Sequence, residues 1–338
     1  MRFKFPTFIF SVIPVFLTLP ASAQGEPCWQ QHRATVHEWT CAGQSLPAEG
    51  KNFALSIVVV DSPKALLVID SGATAAVGES AAKAIRSKFG TKPFWVLNSQ
   101  PKPEHVLGNV GFRNVFKDTV VSGESFANRL VAGKRTADLM KARCPTCIEN
   151  FSERMGGDSV KGTESLVPER VLKTQTGHLG VLQSDWVKWK YRLHKDLETE
   201  EALVLRNADL KLWWVGSALQ NRDIPDLYDG NVIDRVNFLG RLKTQLKSDE
   251  TVLTSFGALD AEWIDRNLHY FVQVHQTVLY GLEAGFSEVE LIEQISADIT
   301  RFKNPVLPET DPRANAQALE THQLNIQRIF HQTEPFAF

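Results

Sequence analysis

The stretch Phe94-Trp95-Val96-Leu97-Asn98-Ser99-Gln100-Pro101-Lys102-Pro103-Glu104-His105-Val106-Leu107-Gly108-Asn109 decides how this chain is read. Its first residues, Phe94 to Asn98, form an apolar strand that ends in the small polar pair Asn98-Ser99. A polar loop with two prolines follows, and a helix leads off through Gly108-Asn109. Upstream, Ala65-Leu66-Leu67-Val68-Ile69 reads as a buried strand ending in the turn Asp70-Ser71-Gly72, and a helix is expected from Ala75 to Phe89. With Ala54 to Val60 as a further strand, this alternation implies an α/β sheet with helices on its outer faces.

The loop between strand and helix holds the chemistry. Zinc takes imidazole nitrogen, thiolate or carboxylate oxygen, usually four ligands in all, with one position left to water in a catalytic site. Against that requirement Gln100 offers a weak neutral oxygen, Lys102 a cation, Glu104 a carboxylate and His105 an imidazole. An ammonium group repels a dication and has no lone pair until it is deprotonated, so Lys102 argues against metal.

This frame resembles the His-x-His-x-Asp-His region of the metallo-β-lactamase superfamily, and of that motif only His105 stands where the family has a ligand. Downstream, Leu193 to Ser217 is similar to the family segment with a His-Thr ligand pair, an Asp and a Gly-Asp. Those positions here read Glu198-Thr199, Ala202 and Gly216-Ser217. The strand-end Gly-His corresponds to Phe256 in Thr251-Val252-Leu253-Thr254-Ser255-Phe256-Gly257. Carried over residue by residue, the ligand set becomes Gln100, Lys102, Glu104, His105, Glu198, Ser217 and Phe256. The resemblance implies a metallo-β-lactamase-like αββα sandwich, with two mixed sheets face to face, helices outside and the site along one sheet edge. The helix Thr321 to Arg328 and the motif Cys144-Pro145-Thr146-Cys147 resemble features of one branch, the periplasmic quinoprotein relay system metallohydrolases.

The N-terminus bears on location. Arg2 and Lys4 precede an apolar run from Phe5 to Leu19, and Ala21-Ser22-Ala23 gives a small-residue cleavage pattern, so residues 1–23 are expected to be a signal peptide. The run falls short of the ~20 apolar residues a bilayer span needs, and the mature chain is expected to be periplasmic or secreted with no membrane span. Formal charge is −2 and becomes about −4 without Arg2 and Lys4, which argues against nucleic acid as a partner. In an oxidising compartment four cysteines invite two disulfides in one of three connectivities; Cys28 with Cys41 and Cys144 with Cys147 are favoured. The second pair is read first as a structural staple and second as a redox pair.

The chain divides into an N-terminal segment 24–51, a metallo-β-lactamase-like domain over 52–262 and a helical extension over 263–338. A helical and loop insertion is expected over 117–190, covering the site. The second half of the domain is expected to contain strands over Ala202 to Arg206, Leu210 to Val215 and Thr251 to Ser255, and a helix from Val232 to Leu246. Ser287-Glu288-Val289-Glu290 reads as a capping box that opens a helix. Trp186, Trp189, Trp213 and Trp214 are read as core, and His269, His275, His322 and His331 as packing or solvated residues.

Three functional classes follow. The first is an exported pseudo-hydrolase without metal or cofactor, binding a small molecule or a periplasmic protein, with Lys102 and Glu198 forming an ion pair in place of a metal bridge. The second is a hydrolase, either metal-free through Lys102, Glu104, His105, Glu198 and Ser217, or holding a single zinc on Glu104, His105 and Glu198. The third is a thiol-disulfide role for Cys144 and Cys147.

Overall fold

Antiparallel strands come first, the first two joined by a tight turn at Ala34-Thr35 and the next two by one at Ser62 to Ala65. The computed structural model describes residues 28–40, 55–119, 125–155, 157–222, 224–302 and 312–336; the expected signal segment and Cys41 lie outside the described residues. Strands β1 (Trp29–Arg33), β2 (Val36–Trp39), β3 (Ile57–Asp61) and β4 (Leu66–Ile69) pair antiparallel in succession. Helix α1 (Ala75–Phe89) then crosses over to β5 (Phe94–Asn98), parallel to β4. Thr74 caps α1 by accepting from the Val77 amide, and Gly90 ends it at φ 78°, a conformation glycine adopts without a Cβ penalty.

Two short helices, α2 (Pro103–Val106) and α3 (Asn109–Phe116), follow β5, and β6 (Leu130–Gly133), α4 (Lys134–Met155) and β7 (Arg170–Leu172) complete a seven-stranded sheet in sequence order. The second sheet holds β8 (Thr176–His178), β9 (Lys190–His194), β10 (Ala202–Asn207) and β11 (Leu212–Trp214), then α5 (Val232–Gln245), β12 (Thr251–Thr254) and β13 (Gly257–Leu259). Helices α6 (Ala261–Glu283), α7 (Glu288–Ala297) and α8 (Pro312–Thr333) close the chain, with the Ser287–Glu290 capping box formed.

The sheets face each other across Val58, Val60, Leu67, Ile69, Leu97 and Val131 on one side and Leu193, Leu203, Leu205, Trp214 and Leu253 on the other. Their other faces carry helices: Ala81 and Ile85 of α1 with Phe112 and Phe116 of α3 cover the first sheet. α5, α6 and α8 cover the second through Phe238, Leu239, Phe271, Ile326 and Ile329. At roughly 1.5–3 kcal/mol for each large apolar side chain fully buried, these three layers carry the fold. Trp186, Trp189 and Trp214 are core residues, at most 2% exposed.

One close approach fixes the site. A Cβ on Gly78 would stand 2.0 Å from the Gly108 carbonyl oxygen, and one on Gly108 would stand 1.9 Å from the Ser71 oxygen. Only glycine permits this contact, and it lets the Asp70 turn zip onto α2 through Ser71 N to His105 O (2.9 Å) and Gly108 N to Gly72 O (2.8 Å).

Three expectations are corrected. The segment 24–51 is not separate from the sheet, since its residues 29–39 supply β1 and β2. The region 117–190 is not only an insertion: Leu130–Gly133 is a fully buried parallel strand between β5 and β7, and Thr176–His178 is the edge of the second sheet. Cys144 and Cys147, expected as a disulfide pair, are free thiols in the middle of α4. Their sulfurs share a hydrogen bond, which together with burial pushes the Cys144 thiol up and, against the effect of burial, holds Cys147 down. Cys144 packs on Val106, Leu107 and Met140. Cys28 is disulfide-bonded.

Candidate functional site

Asp70 leaves β4 at φ 63°, a conformation that turns its carboxylate back across the strand ends. The carboxylate accepts from Ser99 N (2.8 Å), Ser99 Oγ (2.8 Å) and His105 Nδ1 (2.7 Å). This fixes the His105 ring, which is 1% exposed. The other ring nitrogen, Nε2, lies 2.7 Å from Gln100 Nε2 and 3.3 Å from Ser217 Oγ. Gln100 Nε2 also donates to Ser217 Oγ at 3.0 Å, and Ser217 Oγ donates to Ser255 Oγ at 3.4 Å. β4, β5, the loop after β11 and the end of β12 thus meet in one buried polar cluster.

Protonation couples to the Gln100 amide. Burial opposes charge on His105, but the Asp70 carboxylate outweighs it, with smaller help from Glu104 and Glu198, and raises the imidazole above its ordinary value. A neutral ring donates Nδ1–H to Asp70 and accepts the Gln100 N–H at Nε2. A charged ring needs an acceptor there, and the buried, unpartnered Gln100 Oε1 supplies one when the amide turns over. In both states Gln100 occupies the nitrogen that faces the site.

A second half of the site is differently built. Lys102, 9% exposed, has no hydrogen-bond partner for its Nζ, which sits 2.7 Å above the centroid of the Tyr228 ring. Burial pulls its pKa down to about 8 despite the carboxylates of Glu104, Glu198, Asp226 and Asp229 nearby. Glu198, 1% exposed, accepts from Ser217 N at 3.3 Å through Oε1, while its Oε2 has no partner. Burial raises its carboxyl pKa. The expected Lys102–Glu198 ion pair is therefore not formed: the ammonium group rests on an aromatic face instead.

Arg235, fully buried on α5, holds this half together by donating to Leu197 O (2.8 Å), Ala218 O (3.2 Å) and Leu227 O (3.5 Å). The loop that carries Tyr228 is braced from α8, where Asn325 accepts from Leu227 N and donates to Pro225 O, and Arg328 pairs with Asp226.

Of the seven positions drawn from the sequence, Gln100, His105 and Ser217 touch one another, Glu198 touches Ser217, and Lys102 lies on Tyr228. Glu104 sits half-buried in the first turn of α2. Phe256 is half-buried with the Arg222 guanidinium 4.8 Å from its ring centroid, and it is Ser255, one residue earlier, that reaches Ser217. Asp70, Ser255, Tyr228 and Arg235 were not singled out as site residues. Asp70 alone had a signal, as the polar end of an apolar strand before Ser71-Gly72.

The donor set does not fit a zinc ion. Among the described residues no three His, Cys, Asp or Glu side chains converge, the one imidazole has both nitrogens engaged, and a buried ammonium lies in the same loop. No chemical step through a metal follows from these residues.

Comparison with solved structures places the fold. The chain is similar to a metallo-beta-lactamase from Pontibacter korlensis (14% identity, 72% of this chain and 98% of that one, TM-score 0.50). It is similar to VMB-1 (13%, 72% and 96%, TM-score 0.52) and to the DIM-1 metallo-beta-lactamase (12%, 72% and 96%, TM-score 0.52). The fold is thus the metallo-β-lactamase αββα sandwich with helices added at its C-terminal end. No family profile matches the chain, and no curated protein does.

Proposed function

We propose that this chain is an exported, non-catalytic member of the metallo-β-lactamase superfamily, serving a binding or accessory role in the periplasm. The observation that carries the reading is the state of His105: Asp70 takes one ring nitrogen and Gln100 the other, at the position the superfamily gives to a metal ligand. The signal-like N-terminus supports export. The Cys-Pro-x-Cys motif and the C-terminal helix support a place near the quinoprotein relay branch. Elemental analysis after incubation with excess zinc and desalting tests it, with Gln100→His/Lys102→His as comparator. We expect the native chain to retain less than about a tenth of an equivalent and the variant to take up zinc, since a structural or catalytic site needs at least three protein ligands. Near-stoichiometric zinc on the native chain would overturn the reading.

A second reading has its own support in the Ser217–His105–Asp70 chain, which has the order of a nucleophile, its base and the group that orients the base. Ser217 is 1% exposed and shares His105 with Gln100, so this reading needs the Gln100 amide to move. Labelling by a fluorophosphonate that Ser217→Ala abolishes would favour it; absence of labelling in native and Gln100→Ala chains would remove it.

A further inference from the structure

Away from the polar cluster, on the outer face of the second sheet, α5 leaves a cavity of about 500 Å³ between its C-terminal half and strands β8 to β11. That is within the range of small-molecule sites. The alternation of β9 and β10 sends Lys190, Arg192, Val204 and Arg206 to this face, while Tyr191, Leu193, Leu203 and Leu205 go to the core. Its floor is apolar: Val204, Trp213, Phe238 and Leu242 are each at most 8% exposed. Its rim is cationic, with Lys190, Arg192, Arg206 and Arg241 and no carboxylate in the lining.

Three features separate this cavity from an ordinary solvated face. Lys190 stands directly opposite Arg206 in the strand register, a like-charge pairing that costs stability. Arg206 is tied: its guanidinium lies 4.5 Å from the Trp213 ring centroid and pairs with Glu250, which also accepts from Trp213 Nε1. Its Nε is nevertheless buried without a partner. Arg192, Arg241 and Lys190 have no side-chain hydrogen bond or ion pair with any described residue, on a chain whose overall charge is −2. Arg192 and Arg241 also flank His194, whose ring packs edge-on against Phe238 at 5.1 Å and stays neutral, its pKa held near 4 by burial and by the two arginines. Uncompensated cations gathered around a buried, partly aromatic floor match one kind of ligand, an oxyanion on an apolar body.

We propose that this cavity binds a small organic anion, its apolar body on Trp213 and Phe238 and its carboxylate, phosphate or sulfonate facing Arg192 and Arg241. The site is separate from the His105 cluster and does not rest on the function proposed for it. The test is calorimetric titration of the full mature chain with sodium 2-naphthoate, and with 2-naphthamide as the uncharged counterpart. Native protein should bind the naphthoate about tenfold or more tightly than the amide, the scale of one charge-assisted contact. Arg192→Gln/Arg241→Gln, two exposed positions, should keep the native thermal midpoint and lose the preference. Equal affinity for the two probes, a preference that survives in the double variant, or no heat from either up to about 1 mM would each overturn the proposal. So would binding to phosphatidylglycerol vesicles without binding of naphthoate, which would assign the cations to a lipid surface.

Discussion

The two halves of the candidate site solve the same problem in opposite ways. In the Asp70–His105–Gln100 half every nitrogen of the imidazole and both carboxylate oxygens of Asp70 have partners. In the Lys102–Glu198 half the ammonium nitrogen and one carboxylate oxygen have none. A buried charge that is paired is costly to break, whereas a buried charge that is unpaired is costly to keep. Substitutions in the first half should therefore harm the protein, and substitutions in the second should relieve it.

The largest effect is expected at Asp70. Asp70→Asn removes the charge facing a buried imidazole and replaces one of the two acceptor oxygens that serve His105 and Ser99 by a donor, and it should cost about 3–5 kcal/mol in urea unfolding; a loss below about 1 kcal/mol would mean that the pairing carries little. Next is Lys102→Met, expected to stabilise by up to about 3 kcal/mol, the equivalent of lowering a lysine from its ordinary 10.5 to about 8. If Lys102→Met destabilises instead, the contrast between the halves fails.

The same shift gives a pH window. Lys102 has its lower pKa in the folded state, so the unfolded chain holds more protons between pH 8 and 10.5 and stability should rise with pH across that range. The rise should be absent in Lys102→Met, and parallel pH profiles of the two proteins would assign it elsewhere. The smallest effect is at Glu198. Its carboxyl is raised, so folding favours its protonated form and the charged form is penalised as pH climbs above the ordinary glutamate value of 4.5. Glu198→Gln should be neutral to slightly stabilising at pH 7, by about 0–1 kcal/mol, and indistinguishable from native at pH 4.5.

The first half was legible because it is local. Gln100 and His105 lie in the loop and short helix α2 directly after β5, and the spacing of β4, α1 and β5 brings that loop against the end of β4, where Asp70 stands; Asp70 itself was marked only as the polar end of a strand. The second half was not. Tyr228 and Arg235 reach Lys102 and Glu198 from a loop and a helix more than a hundred residues from the ligand loop, and no local pattern marks them. The register at Phe256 shows the same limit: both Ser255 and Phe256 fit a strand end, and only the packing against Ser217 selects the serine. The strand Leu130–Gly133 was hidden within the region expected as a helical and loop insertion, because four residues beside a helix show no period of their own, while their burial between two parallel strands makes them sheet.

By itself the sequence determined the α/β layering, the helix from Ala75 to Phe89, the capping of α7 and the chemical identities in the ligand loop, because periodicity, caps and donor types act over a few residues. The tertiary structure alone decided that Lys102 rests on Tyr228 rather than on Glu198 and that Gln100 closes His105. It also decided that the cations of β9, β10 and α5 share one cavity. Each of these depends on which distant surfaces are brought together and how far each charge is withdrawn from water, and those quantities exist only once the two sheets have packed.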